Sequence, residues 1–282
     1  MMQSMEMMGL ADWSCPVCGA ALKQEAHVFR CEHGHSYDIA KKGYVNLLAS
    51  NQSHSKRHGD DRTMVSARTA FLDAGYYAPL CEAVAAASTE CTPDSPTILD
   101  VGCGEGYYTA AVYAALCAAG KTPDVRGIDI SREALIAAHR RLPALNLAVA
   151  SLARLPMADA SCDLVMNIFA PVDAAEFRRV LRRGGTLLRV VPLERHLWEL
   201  KCAVYDVPYE NKAPDTALPG FALRERRDIV SRITLPTQAE IQALFMMTPY
   251  YYKTSRADQE KLLRLRTLET ETAFGLLLYE RI

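Results

Sequence analysis

The sequence predicts an α/β fold: a doubly wound, mostly parallel sheet of seven strands, with a small cysteine-containing module ahead of it. Three observations predict this arrangement. Residues Ile98–Thr109 (ILDVGCGEGYYT) read as a strand, a glycine-rich turn and the start of a helix. Strand and helix patterns then alternate up to residue 191. Near the N-terminus, Cys15, Cys18, Cys31 and His35 are closely spaced.

Composition narrows the class of protein. The chain has 282 residues, a formal net charge of −1 and 50% hydrophobic residues, which suits one large and one small folded domain. We expect a loose tail at 1–12, a metal-binding module at 13–50 and the main domain at 51–282. No apolar run is long enough for a membrane span. The near-neutral charge argues against indiscriminate nucleic-acid binding but allows a specific RNA enzyme with a local basic face, and we expect no DNA partner. Nine cysteines without a signal peptide suit the reducing cytoplasm.

The N-terminal module carries a zinc-type spacing, C-x2-C-x12-C-x3-H, formed by Cys15, Cys18, Cys31 and His35. Two other histidines compete for the fourth position, but His33 is too close to Cys31 and His27 falls in the intervening hairpin. A four-ligand site of this kind is closed, so we interpret the zinc as structural. We expect the module and the main domain to be separate folding units, so that Cys15→Ser leaves the main domain's ligand site intact.

Two polar segments follow the module. Residues His35–Leu48 have no clear apolar period, so they read as a solvated turn, or as an RNA contact in which Lys41, Lys42 and Tyr44 meet a phosphate backbone and a base. Residues Asn51–Asp61 read as a linker or loop.

Helices are predicted at Arg62–Leu72 and Pro79–Ala87, before the first strand of the main sheet. Tyr76 and Tyr77 lie between them. Either tyrosine could line a ligand pocket or simply pack at a helix end.

The glycine turn is the strongest ligand signal. Gly102, Gly104 and Gly106 follow Asp100 in the pattern G-x-G-x-G, and the next strand, Val125–Ile130, carries Asp129 near its end, where it can accept hydrogen bonds from a ribose. This combination resembles the S-adenosylmethionine (SAM) site of class I methyltransferases.

Further strands at Leu147–Val149, Cys162–Phe169 and Thr186–Val191 complete the parallel part of the sheet. Ser151 follows the first of these, where class I enzymes often contact the adenine of SAM. Residues 167–171, beginning with Asn167, should face the reaction centre, because ligands bind at the carboxyl ends of such strands. Asp173 is a candidate general base, or the N-cap of a helix at 174–181.

The C-terminal third predicts a helix at Glu194–Tyr205 that carries His196, a strand at Ala222–Leu235, a short helix at Gln238–Phe245 and a final antiparallel strand within Leu268–Ile282. From spacing alone, His196 reads as a helix cap more readily than as a pocket residue. The run Thr248–Tyr252 could stack a base or form a packing corner.

Seven sequence blocks resemble the bacterial 23S rRNA (guanine-N1)-methyltransferase family: CPVC…CEHGH, YDIAKKGYVNLL, ARTAFLDAGYY, LDVGCGEGYYT, FAPVDAAEFRRVLRRGG, ERHLWELK and MTPYYY. The resemblance covers about residues 13–282 and implies methylation, with SAM as donor, of guanine N1 in a domain II stem-loop of 23S rRNA. It implies zinc on the three cysteines and His35, and SAM contacts at Tyr77, Gly104, Glu105 and His196. It also suggests a homodimer whose zinc modules help to hold RNA. Asn167 sits where the family pattern is variable.

Two rival functions remain at this stage. A methyltransferase for another RNA or a small molecule would share the SAM loop, but small-molecule enzymes usually lack a zinc module. A SAM-binding ribosome assembly factor would share both features, and the intact loop with Asp129 argues against it.

Overall fold

The computed structural model describes residues 13–48 and 59–282. The predicted tail at 1–12 and most of the predicted loop at 51–61 lie outside these residues. Within them the chain forms the strands β1 (Trp13–Ser14), β2 (Ala21–Glu25), β3 (Val28–Arg30), β4 (Ser36–Asp38), β5 (Tyr44–Asn46), β6 (Thr97–Val101), β7 (Asp124–Asp129), β8 (Asn146–Val149), β9 (Cys162–Ile168), β10 (Leu181–Pro192), β11 (Phe221–Leu235) and β12 (Leu268–Arg281). The helices are α1 (Arg62–Asp73), α2 (Ala78–Glu90), α3 (Tyr107–Ala118), α4 (Arg132–Arg141), α5 (Ala174–Val180), α6 (Trp198–Val204), α7 (Gln238–Met246) and α8 (Arg256–Leu262).

The large sheet has the strand order β11-β12-β10-β9-β6-β7-β8-β5. Its strands run parallel from β10 to β5, and β12 runs antiparallel to both β10 and β11. Helices connect most of the parallel strands along the chain, whereas an irregular loop joins β8 to β9. Strand β9 is buried along its whole length, as expected of a strand covered on both faces. The predicted α/β class, with all seven predicted strands and an antiparallel C-terminal strand, is confirmed.

The eighth strand is β5, in a segment that the sequence predicted as a turn or an RNA contact. Tyr44, Val45 and Asn46 pair in parallel with residues 147–149 of β8, and Val45 is buried. The strand covers an edge of the large sheet that would otherwise expose unpaired backbone groups. Three residues are too few for a recognisable alternation, and their partner lies about 100 residues away, so local pattern could not reveal the pairing.

The small sheet, β1 to β4, shares a core with the large one. Trp13, Leu22 and Phe29 belong to the same buried cluster as Val101 and Ile128 of the large sheet. Ser14 N–H also donates to the carbonyl of Pro156 at 2.9 Å. The zinc module is therefore not packed separately from the main domain, because its buried apolar side chains contact those of the large sheet.

Two helices differ from the sequence expectation. The helix predicted from Glu194 begins only at Trp198, because Leu197 has a left-handed backbone with φ of 57° that a right-handed helix cannot continue through. Helix α8 was not predicted; Ser255 caps it by accepting a hydrogen bond from Asp258 N–H at 3.2 Å. In the described part of the chain, no helix combines the length and apolarity that a membrane span needs.

Candidate active site and metal centre

The four ligands predicted for zinc converge in the N-terminal module. The donor atoms of Cys15, Cys18, Cys31 and His35 all lie within 4.8 Å of one another. Cys18 Sγ is 3.7 Å from Cys31 Sγ, and His35 Nδ1 is 3.6 Å from Cys15 Sγ and 3.4 Å from Cys31 Sγ. A tetrahedral zinc with ordinary bond lengths has S···S edges of about 3.8 Å and S···N edges of about 3.6 Å. The geometry fits zinc, and it includes His35 rather than His27 or His33.

Local backbone geometry forms the two halves of this centre. Cys15 N–H donates to the carbonyl of Ala20, and Cys31 N–H donates to the carbonyl of His35 at 3.0 Å. Gly19 and Gly34 close the two turns with φ of 78° and 83°, a conformation that favours glycine. Four protein donors complete the coordination shell, so the zinc is structural and leaves no open position for catalysis.

A cavity of about 790 Å³ lies at the carboxyl ends of the parallel strands. Part of its lining comes from the loops after β6, β7 and β8, and another part comes from residues 168–171, 189–192 and 247–250. Ligand pockets are typically about 300–1,000 Å³, so this one has room for a nucleoside-sized molecule and a base beside it. The glycine turn therefore lies where the sequence predicted the ligand.

The glycine turn is held tightly against the neighbouring strands. Gly102 and Cys103 N–H groups both donate to the carbonyl of Ile128, at 2.8 and 3.0 Å. Gly102 has φ of 81°, and a Cβ there would come within 2.7 Å of Ala170 Cβ. Gly102 and Gly104 line the cavity, whereas Gly106 does not; Gly106 begins α3 and packs against Ala138. Gly106 therefore has a role in packing the loop, and its predicted contact with the ligand stays a prediction.

Asp129 links the second strand to the glycine turn. Its Oδ2 accepts from Gly104 N–H at 3.0 Å and its Oδ1 from Ser131 N–H at 2.8 Å. Burial raises the pKa of this carboxyl group, against the two backbone hydrogen bonds that lower it. Each carboxylate oxygen has a second lone pair, and Asp129 lines the cavity, so it can still accept from a ligand hydroxyl.

Asp100 is a buried acid of the cavity lining, with 2% of its surface exposed. Thr109 Oγ1 donates to its Oδ2 at 2.6 Å. Burial, with the nearby charge of Asp129, raises the pKa of Asp100 to about 7, although the Thr109 hydrogen bond lowers it. A cation bound beside Asp100 would favour its ionised form.

Glu105 forms an ion pair behind the cavity wall. Its Oε2 accepts from Arg141 Nη2 at 2.7 Å, and the same guanidinium contacts Asp73 at 2.8 Å. The other oxygen, Oε1, is buried and has no hydrogen-bond partner. Glu105 lines the cavity, and an unsatisfied buried acceptor indicates a missing donor, which fits a bound polar ligand.

Tyr77 and His196 form an aromatic wall together with Phe274. The Tyr77 ring centroid lies 4.9 Å from that of Phe274, and the His196 centroid lies 4.5 Å from it. Burial lowers the pKa of His196 to about 3, with a further contribution from the charge of Lys201. His196 Nδ1 accepts from Ala273 N–H at 3.2 Å, so the neutral ring carries its proton on Nε2. Both residues line the cavity, as the family resemblance implied and against the capping interpretation of His196.

Three other predicted residues have different outcomes. Ser151 lines the cavity. Asn167 is buried outside the lining and donates from Nδ2 to the carbonyl of Pro171 at 2.9 Å, so it supports residues 168–171. Its Oδ1 is buried and has no hydrogen-bond partner, and the predicted contact with the ligand stays a prediction. Asp173 Oδ1 accepts from the N–H groups of Ala175 and Glu176, each at 3.1 Å. Asp173 does not line the cavity and forms the helix N-cap that the sequence offered as the alternative, while its role as a base stays an untested prediction.

Sequence reasoning missed a polar cluster at the cavity. Asn211 Oδ1 accepts from Lys201 Nζ at 2.7 Å and from the Tyr250 hydroxyl at 3.1 Å. Lys201 is buried, and its ammonium also lies 5.2 Å from the Tyr250 ring centroid. Tyr250 lies in the aromatic run noted in the sequence, but Asn211 comes from an irregular loop whose position depends on these long-range contacts.

Two parts of the chain match known families. Residues 13–56 match the family described as "RlmA, N-terminal", a zinc ribbon, and residues 98–188 match the family described as "Methyltransferase domain". The first match covers the cysteine cluster, and the second covers the glycine turn and Asp129.

Several curated proteins resemble the chain. A 23S rRNA (guanine(748)-N(1))-methyltransferase of Streptomyces fradiae is 39% identical over 193 residues, which cover 66% of this chain and 65% of that protein. A Bacillus subtilis protein provisionally named 23S rRNA (guanine-N(1)-)-methyltransferase YxjB is 32% identical over 262 residues, covering 89% of this chain and 90% of its own. Among solved structures, the YcgJ protein of Bacillus subtilis superimposes with a TM-score of 0.46 and 14% identity, over 71% of this chain and 98% of that one.

Proposed function

We propose that this chain, which belongs to the 23S rRNA (guanine-N1)-methyltransferase family, transfers a methyl group from SAM to N1 of a guanine in a domain II stem-loop of 23S rRNA. The observation that carries the proposal is the combination of a closed zinc centre and a SAM-type cavity in one chain, aligned with the Bacillus subtilis relative over 89% of its length. Either feature alone occurs in proteins of other functions.

In this proposal the donor occupies the part of the cavity that the loops after β6, β7 and β8 line. Asp129 accepts from the ribose hydroxyls, Asp100 faces the ammonium of the methionine part, and the adenine lies near Ser151. The unpartnered Oε1 of Glu105 supports a polar ligand in this part of the cavity. Tyr77 and His196 then border the methyl-bearing part of the donor.

The chemistry we propose is an in-line displacement. SAM supplies an electrophilic methyl group on a sulfonium. The N1–CH3 bond of guanine forms as the S–CH3 bond breaks, which leaves S-adenosylhomocysteine, and the N1 proton passes to water. The protein's task is mainly to align the donor and the acceptor. His196 is a poor base because burial holds its pKa near 3, and Asp173 already caps a helix, so we assign proton removal to neither.

The RNA side of the proposal rests on the zinc module and the turn that follows it. Lys41 and Lys42 are exposed at that turn, directly before β5. Lys23 and Arg30 are exposed on the strands of the small sheet. Their charges can neutralise backbone phosphates, and the core that the module shares with the large sheet fixes the module relative to that sheet. We further propose that the protein acts in the cytoplasm and as a homodimer, on the family resemblance.

The proposal is tested by incubating the full chain with SAM carrying a tritiated methyl group and one of three acceptors: undermodified 23S rRNA, 16S rRNA or free guanosine. We expect label in 23S rRNA only, at a single guanine. Label in 16S rRNA at an equal rate, or in guanosine alone, would contradict the proposed substrate. An Asp129→Ala variant run in parallel distinguishes SAM-site chemistry from contaminating activity.

A further inference from the structure

Phe169 has an unusual backbone for an aromatic residue. It follows β9 directly, with φ of 56°, a left-handed conformation that is unfavourable for a bulky side chain. Its side chain is 45% exposed, although the same ring would gain free energy in the core. Strained residues tend to occur at functional sites, where the surrounding structure holds them in place.

The neighbouring residues hold this conformation from several sides. Phe169 N–H donates to the carbonyl of Val190 at 3.3 Å, and the Asn167 side chain holds the end of the loop through the Pro171 carbonyl at 2.9 Å. The Phe169 ring contacts Phe274 at 5.4 Å and Tyr108 at 6.4 Å between centroids. Packing against these two rings therefore orients the Phe169 ring. The rest of the side chain stays exposed, and Phe169 lines the cavity.

The ring lies beside the point where donor and acceptor must meet. Ala170, the next residue, approaches Gly102 of the glycine turn so closely that any side chain on Gly102 would clash with it. A base that stacks on the Phe169 ring would therefore lie next to the donor proposed at the glycine turn. Among the described residues, the large apolar side chains that are both more than one-third exposed and part of the cavity lining are Ile130 and Phe169, and of these two only Phe169 is aromatic.

We propose that Phe169 is the stacking platform on which the target guanine rests during methyl transfer, an inference that depends on the proposed function. Guanine N1 lies on the base-pairing edge, so the base must leave its helix or loop stack before the donor can reach it. A flipped base regains the lost stacking by lying on an aromatic ring. Phe169 provides that ring in the cavity lining.

Two nearby tyrosines are less suitable for this role. The Tyr250 hydroxyl donates to Asn211, and its ring already faces the buried Lys201 ammonium. Tyr252 is 60% exposed, but it does not line the cavity, and its hydroxyl contacts Met64. Each of these two tyrosines therefore already contacts other residues of the protein, which makes it less suitable as a free surface for a base.

The test exploits the strained backbone. Phe169→Gly and Phe169→Asn remove the ring while keeping a residue that tolerates positive φ, so we expect both variants to melt at or above the wild-type temperature. We expect kcat/KM for 23S rRNA to fall by about 10–100-fold, the range for loss of one base–aromatic stack. SAM affinity, measured by calorimetry, should stay within about twofold. Phe169→Tyr, which keeps the aromatic face, should recover most of the rate.

Each other result overturns a specific claim. If the wild-type protein methylates 23S rRNA and Phe169→Gly does so with the same kcat and KM, the stacking role is wrong and the proposed function stands. If the glycine and asparagine variants lose SAM affinity or melt well below the wild type, the ring is part of the donor site or the core, and the stacking role is again wrong. If the wild-type protein does not methylate 23S rRNA at all, the proposed function fails first and the inference falls with it.

Discussion

Lowering the pH should release SAM from this protein because Asp100 becomes protonated. The carboxyl group is 2% exposed, and burial raises its pKa to about 7. If its ionised form pairs with the ammonium of SAM, only that form binds the donor well. The ionised fraction rises from about 0.01 at pH 5 to about 0.5 at pH 7, so the dissociation constant should fall by about 50-fold over this range.

Calorimetric titration of SAM into the wild-type protein at pH 5, 6 and 7 measures this dependence. The range stops at pH 7 so that the α-amino group of SAM stays protonated. Asp129 and Glu105 also have raised pKa values in the same cavity, so an Asp100→Asn variant is needed as the matched control. We expect the variant to bind SAM more weakly at pH 7 and with little dependence on pH.

Asp100 should affect the stability of the ligand-free protein in the opposite direction: raising the pH strengthens SAM binding but lowers the free energy of unfolding. A carboxyl group whose folded pKa lies above its unfolded value holds its proton more tightly in the folded state, so the free energy of unfolding falls as pH rises from about 4 to about 7. For Asp100 the fall is on the order of 4 kcal/mol, and Asp100→Asn should remove it. A SAM affinity that is flat between pH 5 and 7, or an equal slope in Asp100→Asn, would refute the reasoning about Asp100.

Three further predictions concern the zinc, the ribose contact and the RNA surface. The protein should contain one zinc per chain by elemental analysis. Cys15→Ser should lower both the melting temperature and SAM affinity, because the module and the main sheet share a core. Normal SAM binding by the metal-free variant would contradict this. Asp129→Ala should weaken SAM binding by about one to two orders of magnitude, since charge-assisted hydrogen bonds contribute about 1.5–3 kcal/mol; unchanged calorimetric affinity would remove Asp129 from the site. Replacing Lys41 and Lys42 with Glu should weaken rRNA binding and reduce the slope of log affinity against log salt by about 0.7–0.9 per lost phosphate contact. SAM affinity should stay unchanged. A normal slope would exclude these lysines from the RNA surface.

The features that sequence predicted well are encoded locally. The spacing of Cys15, Cys18, Cys31 and His35 is sufficient to define the zinc ligands, because each pair lies within one short turn. The glycine turn is likewise a strand, a bend and a helix start in consecutive residues, so its location at the cavity followed from the pattern of one segment.

The features that sequence missed depend on distant contacts. The pairing of β5 with β8 joins segments about 100 residues apart, and the shared core of the two sheets depends on which faces meet. Asn211 reaches the cavity through hydrogen bonds with Lys201 and Tyr250, which no spacing rule contains. Asn167 and Asp173 were expected near the reaction centre because they flank the right strand end, but side-chain direction, which sequence position does not define, turned both toward backbone groups.

The most direct test of the proposed function is the chemical identity of the methylated nucleoside. Undermodified 23S rRNA should be incubated with the wild-type protein and SAM, digested to nucleosides and analysed by mass spectrometry against standards, with primer extension to locate the modified position. We predict 1-methylguanosine, one per rRNA molecule, at a reverse-transcription stop in a domain II stem-loop, because a methyl group on N1 blocks base pairing. A methyl group on another atom of guanine, on another base or in another domain of the rRNA would contradict the proposed function.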